Sequence, residues 1–201
     1  MTKPVISKVK QKTVIDIYDG ISELLIEDNP EFLTINNISK RSGYSIGNIY
    51  HHFKNIDEVI EKFVLDRIEK RGLIIIDFIK NAPPTITAKE LILFINNENF
   101  ELLAKRLPKV VFLFLVSKLF DQPSVKEKFK EINSNQATAI EAMINRNETN
   151  TFNKLSYDEI EMALQMCSIA ARAPIMLGYK LALTKSHQDM TLAILITLFA
   201  K

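Results

Sequence analysis

Hydrophobic residues recur at intervals of three and four along most of the chain, which is the period of an amphipathic helix rather than of a strand. In residues 14–25 they form one apolar face: Val14, Ile17, Tyr18, Ile21, Leu24 and Leu25. Pro30 follows, and proline disfavours helical backbone in the residue before it. The pattern therefore predicts a first helix that ends near residue 28.

Two short helices are predicted next, separated by a glycine. Thr34 is a suitable N-cap for the first of them, and Gly43 is a suitable residue to end it. Ser45 is a suitable N-cap for the second. The apolar positions expected to face inward are Ile35, Ile38, Ile46, Ile49 and Phe53. Two short helices joined at a glycine are typical of a helix-turn-helix motif.

The remaining sequence continues the helical pattern. A long helix is predicted over residues 55–80, and at about 1.5 Å per residue it spans more than 35 Å. Further helices are predicted at 87–106, 109–120, 124–147, 156–184, with a bend at Pro174, and 186–200. Because only five residues are glycine and no hairpin signal separates alternating runs, we expect an all-α fold.

Composition narrows the class of protein. A formal net charge of +2 does not by itself indicate a nucleic-acid partner, so that inference depends on local pattern. The single Cys167 excludes an internal disulfide, and we expect a cytoplasmic protein without a metal or cofactor. The N-terminus lacks an apolar stretch of signal-peptide length, and the apolar stretches near the C-terminus are interrupted by charge or too short to span a bilayer. We therefore expect no membrane association.

The third helix has a polar outward face. Placing residues about 100° apart puts Gly47, Asn48, His51 and His52 on the side opposite the apolar positions. A helix that enters a major groove needs close approach of its backbone near the N-terminus and side chains that hydrogen-bond to base edges. Gly47, Asn48 and His51 meet both requirements.

Charge around this helix is segregated. Residues 32–56 contain Lys40, Arg41 and Lys54 but no Asp or Glu. An acid-free surface favours contact with phosphates, since each neutralised phosphate releases counterions. By spacing alone, an ordinary solvated helix with surface histidines remains an alternative.

Residues 34–60, TINNISKRSGYSIGNIYHHFKNIDEVI, resemble the DNA-binding signature of the tetracycline-repressor (TetR) family. The shared features are a Thr-capped helix, small residues around a glycine, and then Ser-x-Gly-x-Ile-Tyr-x-His-Phe. The resemblance extends with lower similarity over residues 6–71. It implies an N-terminal three-helix DNA-binding domain, residues 1–54, and a C-terminal helical bundle for ligand binding and dimerisation, residues 55–201.

The resemblance also implies roles for individual residues. Phosphate contacts are implied for Thr34, Tyr50, His52 and Lys54, and positions at or near base edges for Ser45, Gly47, Asn48 and His51. The sequence departs from the family at Ser39 and Ser42, where alanine is usual. It also departs at Ile56, where a lysine usually opens the fourth helix and supplies a phosphate contact.

The last two predicted helices are apolar on nearly all sides. Such helices require burial on two faces, and a symmetry mate in a four-helix interface supplies the second most simply. We therefore expect a homodimer, as the resemblance also implies, because helix-turn-helix proteins engage two half-sites about 34 Å apart. Two central helices of a monomer are the alternative.

Aromatic residues of the body are candidates to line a cavity for a small, largely apolar effector. Phe112 is one of these, and Gln165 or Arg172 is a candidate polar anchor. Aromatic residues at helical spacing also occur in any helical core. Arg172 has its own alternative, as an arginine that extends to solvent or pairs across a dimer.

Together these features predict a sequence-specific DNA-binding transcriptional regulator, a repressor that a small effector releases from its operator. A helical enzyme is one alternative, but the sequence contains no HExxH, no Gly-rich phosphate loop and no Cys-His pair. A helical adaptor that binds an acidic protein through its basic module is the other. Sequence preference among DNA sites distinguishes a regulator from an adaptor.

Overall fold

The structure, a computed structural model, describes residues 3–27, 29–100, 115 and 118–201. Within these ranges it contains eight α-helices and a short 3-10 turn over Pro30–Phe32. The helices are α1 (Lys3–Ile26), α2 (Ile35–Ser42), α3 (Ile46–His52), α4 (Ile56–Asn81), α5 (Ala88–Phe100), α6 (Pro123–Asn145), α7 (Tyr157–Met176) and α8 (Lys185–Phe199). The all-α prediction is confirmed, and most of the helix predicted over 109–120 lies outside the described residues.

Local capping signals determine the ends of α2 and α3. The Thr34 hydroxyl accepts a hydrogen bond from the Asn37 amide at 3.3 Å, and Gly43 ends α2 with a left-handed φ of 76°. The Ser45 hydroxyl accepts from the Asn48 amide at 3.2 Å, which begins α3. The predicted inward positions of α3 are buried except for Ile46, its first residue, which is 36% exposed.

The buried residues form two main clusters. The N-terminal cluster contains Ile17, Ile21, Leu25, Ile38, Ile49, Phe53, Val59, Ile60, Phe63, Ile68, Leu115, Leu119, Val125 and Ile132 among others. The body cluster contains Ile75, Ile76, Ile79, Leu91, Ile92, Ile95, Ala137, Ile140, Met143, Ile160, Leu164, Leu195 and Phe199 among others. Helices α4 and α6 contribute to both clusters, so the two halves of the chain share two helices.

The long α4 is the link between these clusters. Its 26 residues correspond to a length of about 39 Å. Gly72 lies at the middle of α4 and faces Ile132 of α6. A Cβ atom at position 72 would lie 2.6 Å from two carbon atoms of the Ile132 side chain, so any larger residue there would require that side chain to move.

Helix α7 ends earlier than the sequence predicts. The prediction carried it to residue 184, whereas Gly178 adopts a left-handed φ of 69° and the helix stops at Met176. Pro174 lies within its last turns and lacks the amide that would donate to the Ala170 carbonyl.

His187, at the start of α8, takes the place of that missing amide. Its Nδ1 accepts from the Leu183 amide at 3.2 Å, so its Nε2 carries the proton, and Nε2 lies 3.2 Å from the Ala170 oxygen. The histidine is buried, and its ring lies edge-on to Phe100 with centroids 5.1 Å apart. A buried imidazole therefore ties the end of α7 to the start of α8.

No helix in the described ranges is sufficiently long and apolar to form a membrane span.

Replacing His187 tests this tie. His187→Phe keeps a ring of similar size but leaves the Leu183 amide and the Ala170 carbonyl without their partner. We expect the free energy of unfolding to fall by about 1–3 kcal/mol in urea denaturation. In the background Pro174→Ala, which restores a helical donor to Ala170, the same change should cost less. Equal costs in both backgrounds would contradict the proposed relation between proline and histidine.

Candidate nucleic-acid interface and internal cavity

Helices α2 and α3 are held against α1 by the turn between them. The Tyr44 hydroxyl donates to the Asp16 carboxylate of α1 at 2.9 Å, and the Ser39 hydroxyl donates to the Tyr44 carbonyl at 2.7 Å. Hydrogen bonds from Lys12 and Tyr44 hold the pKa of Asp16 below its usual value. Ser42 also faces this turn, with its hydroxyl 3.5 Å from the Tyr44 amide nitrogen. The two serines that depart from the family pattern thus bond to the backbone that orients α3.

The outward face of α3 is open to solvent. The exposed members of the predicted site are Thr34, Ser45, Gly47, Asn48, Tyr50, His51 and Lys54. His52 is half-buried, and its ring packs edge-on to His51 with centroids 5.5 Å apart. No atom lies within 4 Å of a Cβ built on Gly47, so the space in front of the helix is free. Seven of the eight predicted residues are therefore exposed, and the eighth, His52, is half-buried.

The positive charge on this surface is smaller than the sequence suggests. Arg41 forms ion pairs with Glu27 and, at 3.9 Å, with Glu23. These acids lie in and directly after α1, outside the acid-free segment. Lys40 and Lys54 are exposed and form no ion pair with any carboxylate that the structure describes. They are therefore the lysines of this region available to phosphates.

The residues at the start of α4 are not arranged to bind a phosphate. Ile56 is half-buried and packs against the N-terminal cluster. The Asn55 side chain caps the helix, and the Glu58 carboxylate accepts from the Lys54 amide at 2.6 Å. Asp57 pairs with Lys118 at 2.5 Å. Two acids thus occupy the helix end where an anion would otherwise be favoured.

An internal cavity of about 110 Å³ lies between α4, α5, α6, α7 and α8. Arg172, a predicted anchor, lines it. Gln165 is not among the described lining residues; it is exposed and accepts a hydrogen bond from Asn133, which does line the cavity, at 2.8 Å. The third predicted contact, Phe112, lies outside the described residues.

Sequence reasoning missed five polar residues of the described lining: Arg71, Asn99, Asn133, Gln136 and Ser168. Arg71 lies on α4 between the apolar positions Ile68 and Ile75, and Gln136 lies on the inner side of α6. A charged or amide residue within an apolar helical stripe is the signal that would have identified both. Cys167 also lines the cavity, and burial raises its pKa to about 11, so the thiol stays protonated at neutral pH.

The outer side of α7 and α8 is apolar and exposed. This outer apolar surface consists of Met162, Met166, Ile169, Met190 and Ile194. Met162 is 60% exposed and Met166 is 49% exposed. Contiguous apolar surface of this kind marks an interaction site rather than a solvated face.

Comparison with known proteins identifies the N-terminal module. The family described as bacterial regulatory proteins, tetR family, matches residues 17–63, a segment that contains α2, α3 and the start of α4. A comparison with curated protein sequences gives no match.

Solved structures share the fold over nearly the whole chain. The transcriptional regulator FadR from Bacillus subtilis, in complex with stearoyl-CoA, has a TM-score of 0.58 and 19% identity, covering 92% of this chain and 96% of its own. A TetR transcription regulator from Haloarcula marismortui has a TM-score of 0.66 and 15% identity, with coverages of 94% and 99%. SmeT, the repressor of the Stenotrophomonas maltophilia multidrug efflux pump SmeDEF, has a TM-score of 0.59 and 16% identity, with coverages of 94% and 90%. The N-terminal module thus matches the tetR family of bacterial regulatory proteins, and the fold of the chain is similar to that of solved regulators.

Proposed function

We propose that this protein is a homodimeric, sequence-specific transcriptional regulator in which α3 reads the major groove of operator DNA. In this proposal a small effector binds in the body cavity and releases the dimer from its operator, so the protein acts as a repressor. The observation that carries the proposal is the exposed polar face of α3, which lies within the segment that the tetR family model matches.

The roles on this face follow from position and chemistry. Gly47 lies in the first turn of α3 and leaves room for a DNA backbone or base edge. Asn48 and His51 have donors and acceptors suited to base edges, whereas Lys54 supplies a charge suited to phosphates. Thr34, Tyr50 and His52 flank them as further phosphate contacts.

A dimer is supported by the outer apolar surface on α7 and α8. Burying these methionines and isoleucines against a symmetry mate removes them from water and makes an isologous four-helix interface. It also holds two copies of α3 in one particle, as recognition of two half-sites about 34 Å apart requires.

Release by an effector is supported by α4. This helix begins directly after α3, with only Phe53, Lys54 and Asn55 between them, and lines the cavity through Ile68, Arg71, Gly72 and Ile75. A tilt of α4 caused by an occupant therefore moves α3. The effector must bind the released state more tightly, and a tenfold loss of DNA affinity requires about 1.4 kcal/mol of coupling. Two relatives of similar fold, a regulator bound to stearoyl-CoA and an efflux-pump repressor, are consistent with a ligand-responsive repressor.

Substitutions on α3 should separate base reading from phosphate binding. We expect Asn48→Ala and His51→Ala to weaken operator binding by about 1–3 kcal/mol while affecting unrelated DNA little. Lys54→Ala should weaken binding to both DNAs alike and reduce the salt dependence. Fluorescence anisotropy with operator and scrambled duplexes measures these affinities once an operator has been selected from random DNA. If the parent protein shows no preference among DNA sequences, an adaptor becomes the better interpretation.

Gly47→Ala gives a sharper test of close approach. Alanine favours a helix over glycine by about 1 kcal/mol, and the structure shows open space at this position, so thermal stability should stay equal or rise. Operator affinity should nevertheless fall at least tenfold, because the added methyl group meets DNA. Unchanged affinity in this stable variant would place the DNA elsewhere.

Charge on the outer apolar surface should separate the subunits. Met166→Glu and Ile194→Glu are expected to sediment as monomers in analytical ultracentrifugation and to lose operator affinity, because two carboxylates would be buried against each other. Leu73→Glu is the matched control, since Leu73 is also apolar and exposed but lies on α4. Dimers of parental stability in both test variants would assign the interface to another surface.

A further inference from the structure

The internal cavity contains two cationic groups from different helices. Arg71 of α4 and Arg172 of α7 both line it, and none of the other described lining residues is acidic. The Arg71 guanidinium has Glu98 of α5 at 3.8 Å, a long distance for an ion pair. Two guanidinium groups that line one cavity, with Glu98 as a nearby carboxylate, leave a net positive charge that favours an anion.

Arg172 has no acidic counterpart in the described part of the chain. Its Nε donates to the Ser168 carbonyl at 2.9 Å, and its guanidinium lies 4.1 Å from the centroid of Phe120 and 5.1 Å from that of Phe129. Burial lowers the pKa of Arg172 to about 10, which still leaves it charged at neutral pH. The fold therefore holds a partly buried cation against aromatic rings without neutralising it.

A buried amide provides an independent sign of a ligand. Gln136 of α6 is 7% exposed and lines the same cavity, yet it makes no hydrogen bond to any residue that the structure describes. Buried side-chain amides are normally hydrogen-bonded, because an unmade bond costs stability. An oxygen atom of a bound molecule would accept from the Gln136 amide.

The remaining wall of the cavity is mostly apolar. Ile75, Ile95, Leu164 and Leu195 contribute side chains from four helices. A cavity of roughly 150 Å³ accepts a molecule of the size of benzene, so an occupant of this cavity has few heavy atoms. The cavity therefore has two guanidinium groups and an amide within a mostly apolar lining.

We propose that this cavity binds a small organic carboxylate, whose oxygens accept hydrogen bonds from Arg71, Arg172 and Gln136 and whose short apolar part packs against the isoleucines and leucines. The inference rests on the proposed function only in taking the cavity as the effector site. It adds the charge and the size of the effector, which neither the fold nor the family determines.

Calorimetric titration of the full-length protein without DNA tests the inference. The probes are propanoate and butanoate, which have five and six heavy atoms, each compared with the alcohol of the same chain length. At least one acid should bind, and at least tenfold more tightly than its alcohol, since only the acid has the charge that the guanidiniums attract. Equal affinity for acid and alcohol, or no binding of either acid at millimolar concentration, would overturn the inference.

Three substitutions assign the binding to the cavity. Arg172→Gln and Arg71→Gln should each weaken carboxylate binding at least tenfold. Gln136→Leu should weaken it as well, because leucine has no amide to donate to the carboxylate. Arg67→Gln is the control, because Arg67 lies one turn before Arg71 and donates to Ser22 at 2.9 Å instead of lining the cavity.

Circular dichroism establishes whether each variant is folded. If Arg172→Gln does not fold, Arg71→Gln still tests the inference. Parental carboxylate affinity in both arginine variants would show that the probes bind elsewhere and would overturn the inference. These titrations contain no DNA, so a negative result would not count against operator binding. Operator binding by the parent protein tests the proposed function separately.

Discussion

The contact between α4 and α6 at Gly72 sets the spacing on which the arrangement of both halves of the protein depends. Ile132 fills the space that any Cβ at this position would need. On one side of this contact α4 packs into the N-terminal cluster that carries α3, and on the other side into the body cluster. Gly72 and Ile132 also line the cavity, so this contact between the two shared helices adjoins the proposed effector site.

The proposed DNA-binding surface and the proposed effector cavity differ in how they would attract a negatively charged partner. On α3, backbone and side chains are exposed, and two lysines without described acidic partners supply the charge. In the cavity, two arginines and a buried glutamine lie among apolar side chains, where electrostatic interactions are less screened than at the surface. The exposed lysines near α3 suit a large polyanion such as DNA, whereas the arginines of the cavity suit a small anion.

How much the sequence predicts depends on how local each signal is. The ends of α2 and α3 follow from Thr34, Gly43 and Ser45, because capping involves residues only a few positions apart. The pairing of Arg41 with Glu27 joins residues 14 positions apart on separate elements, so no local pattern reveals it. The contribution of Arg71 and Gln136 to one cavity likewise requires knowing how α4 and α6 pack. The resemblance to a family predicted a DNA-binding surface, whereas the convergence of Arg71 and Gln136 on one cavity became visible only in the fold.

The N-terminal cluster has a consequence for how the molecule unfolds. Leu119 and Val125, which follow the DNA-reading helices by more than sixty residues, pack in the same cluster as Ile38 and Ile49. Unfolding the N-terminal helices therefore also exposes apolar side chains of the body. The free-energy cost of that exposure adds to the cost of unfolding the N-terminal helices themselves. We therefore expect the N-terminal helices and the body to unfold as one cooperative unit, and a chain cut after residue 54 to lose part of its own core.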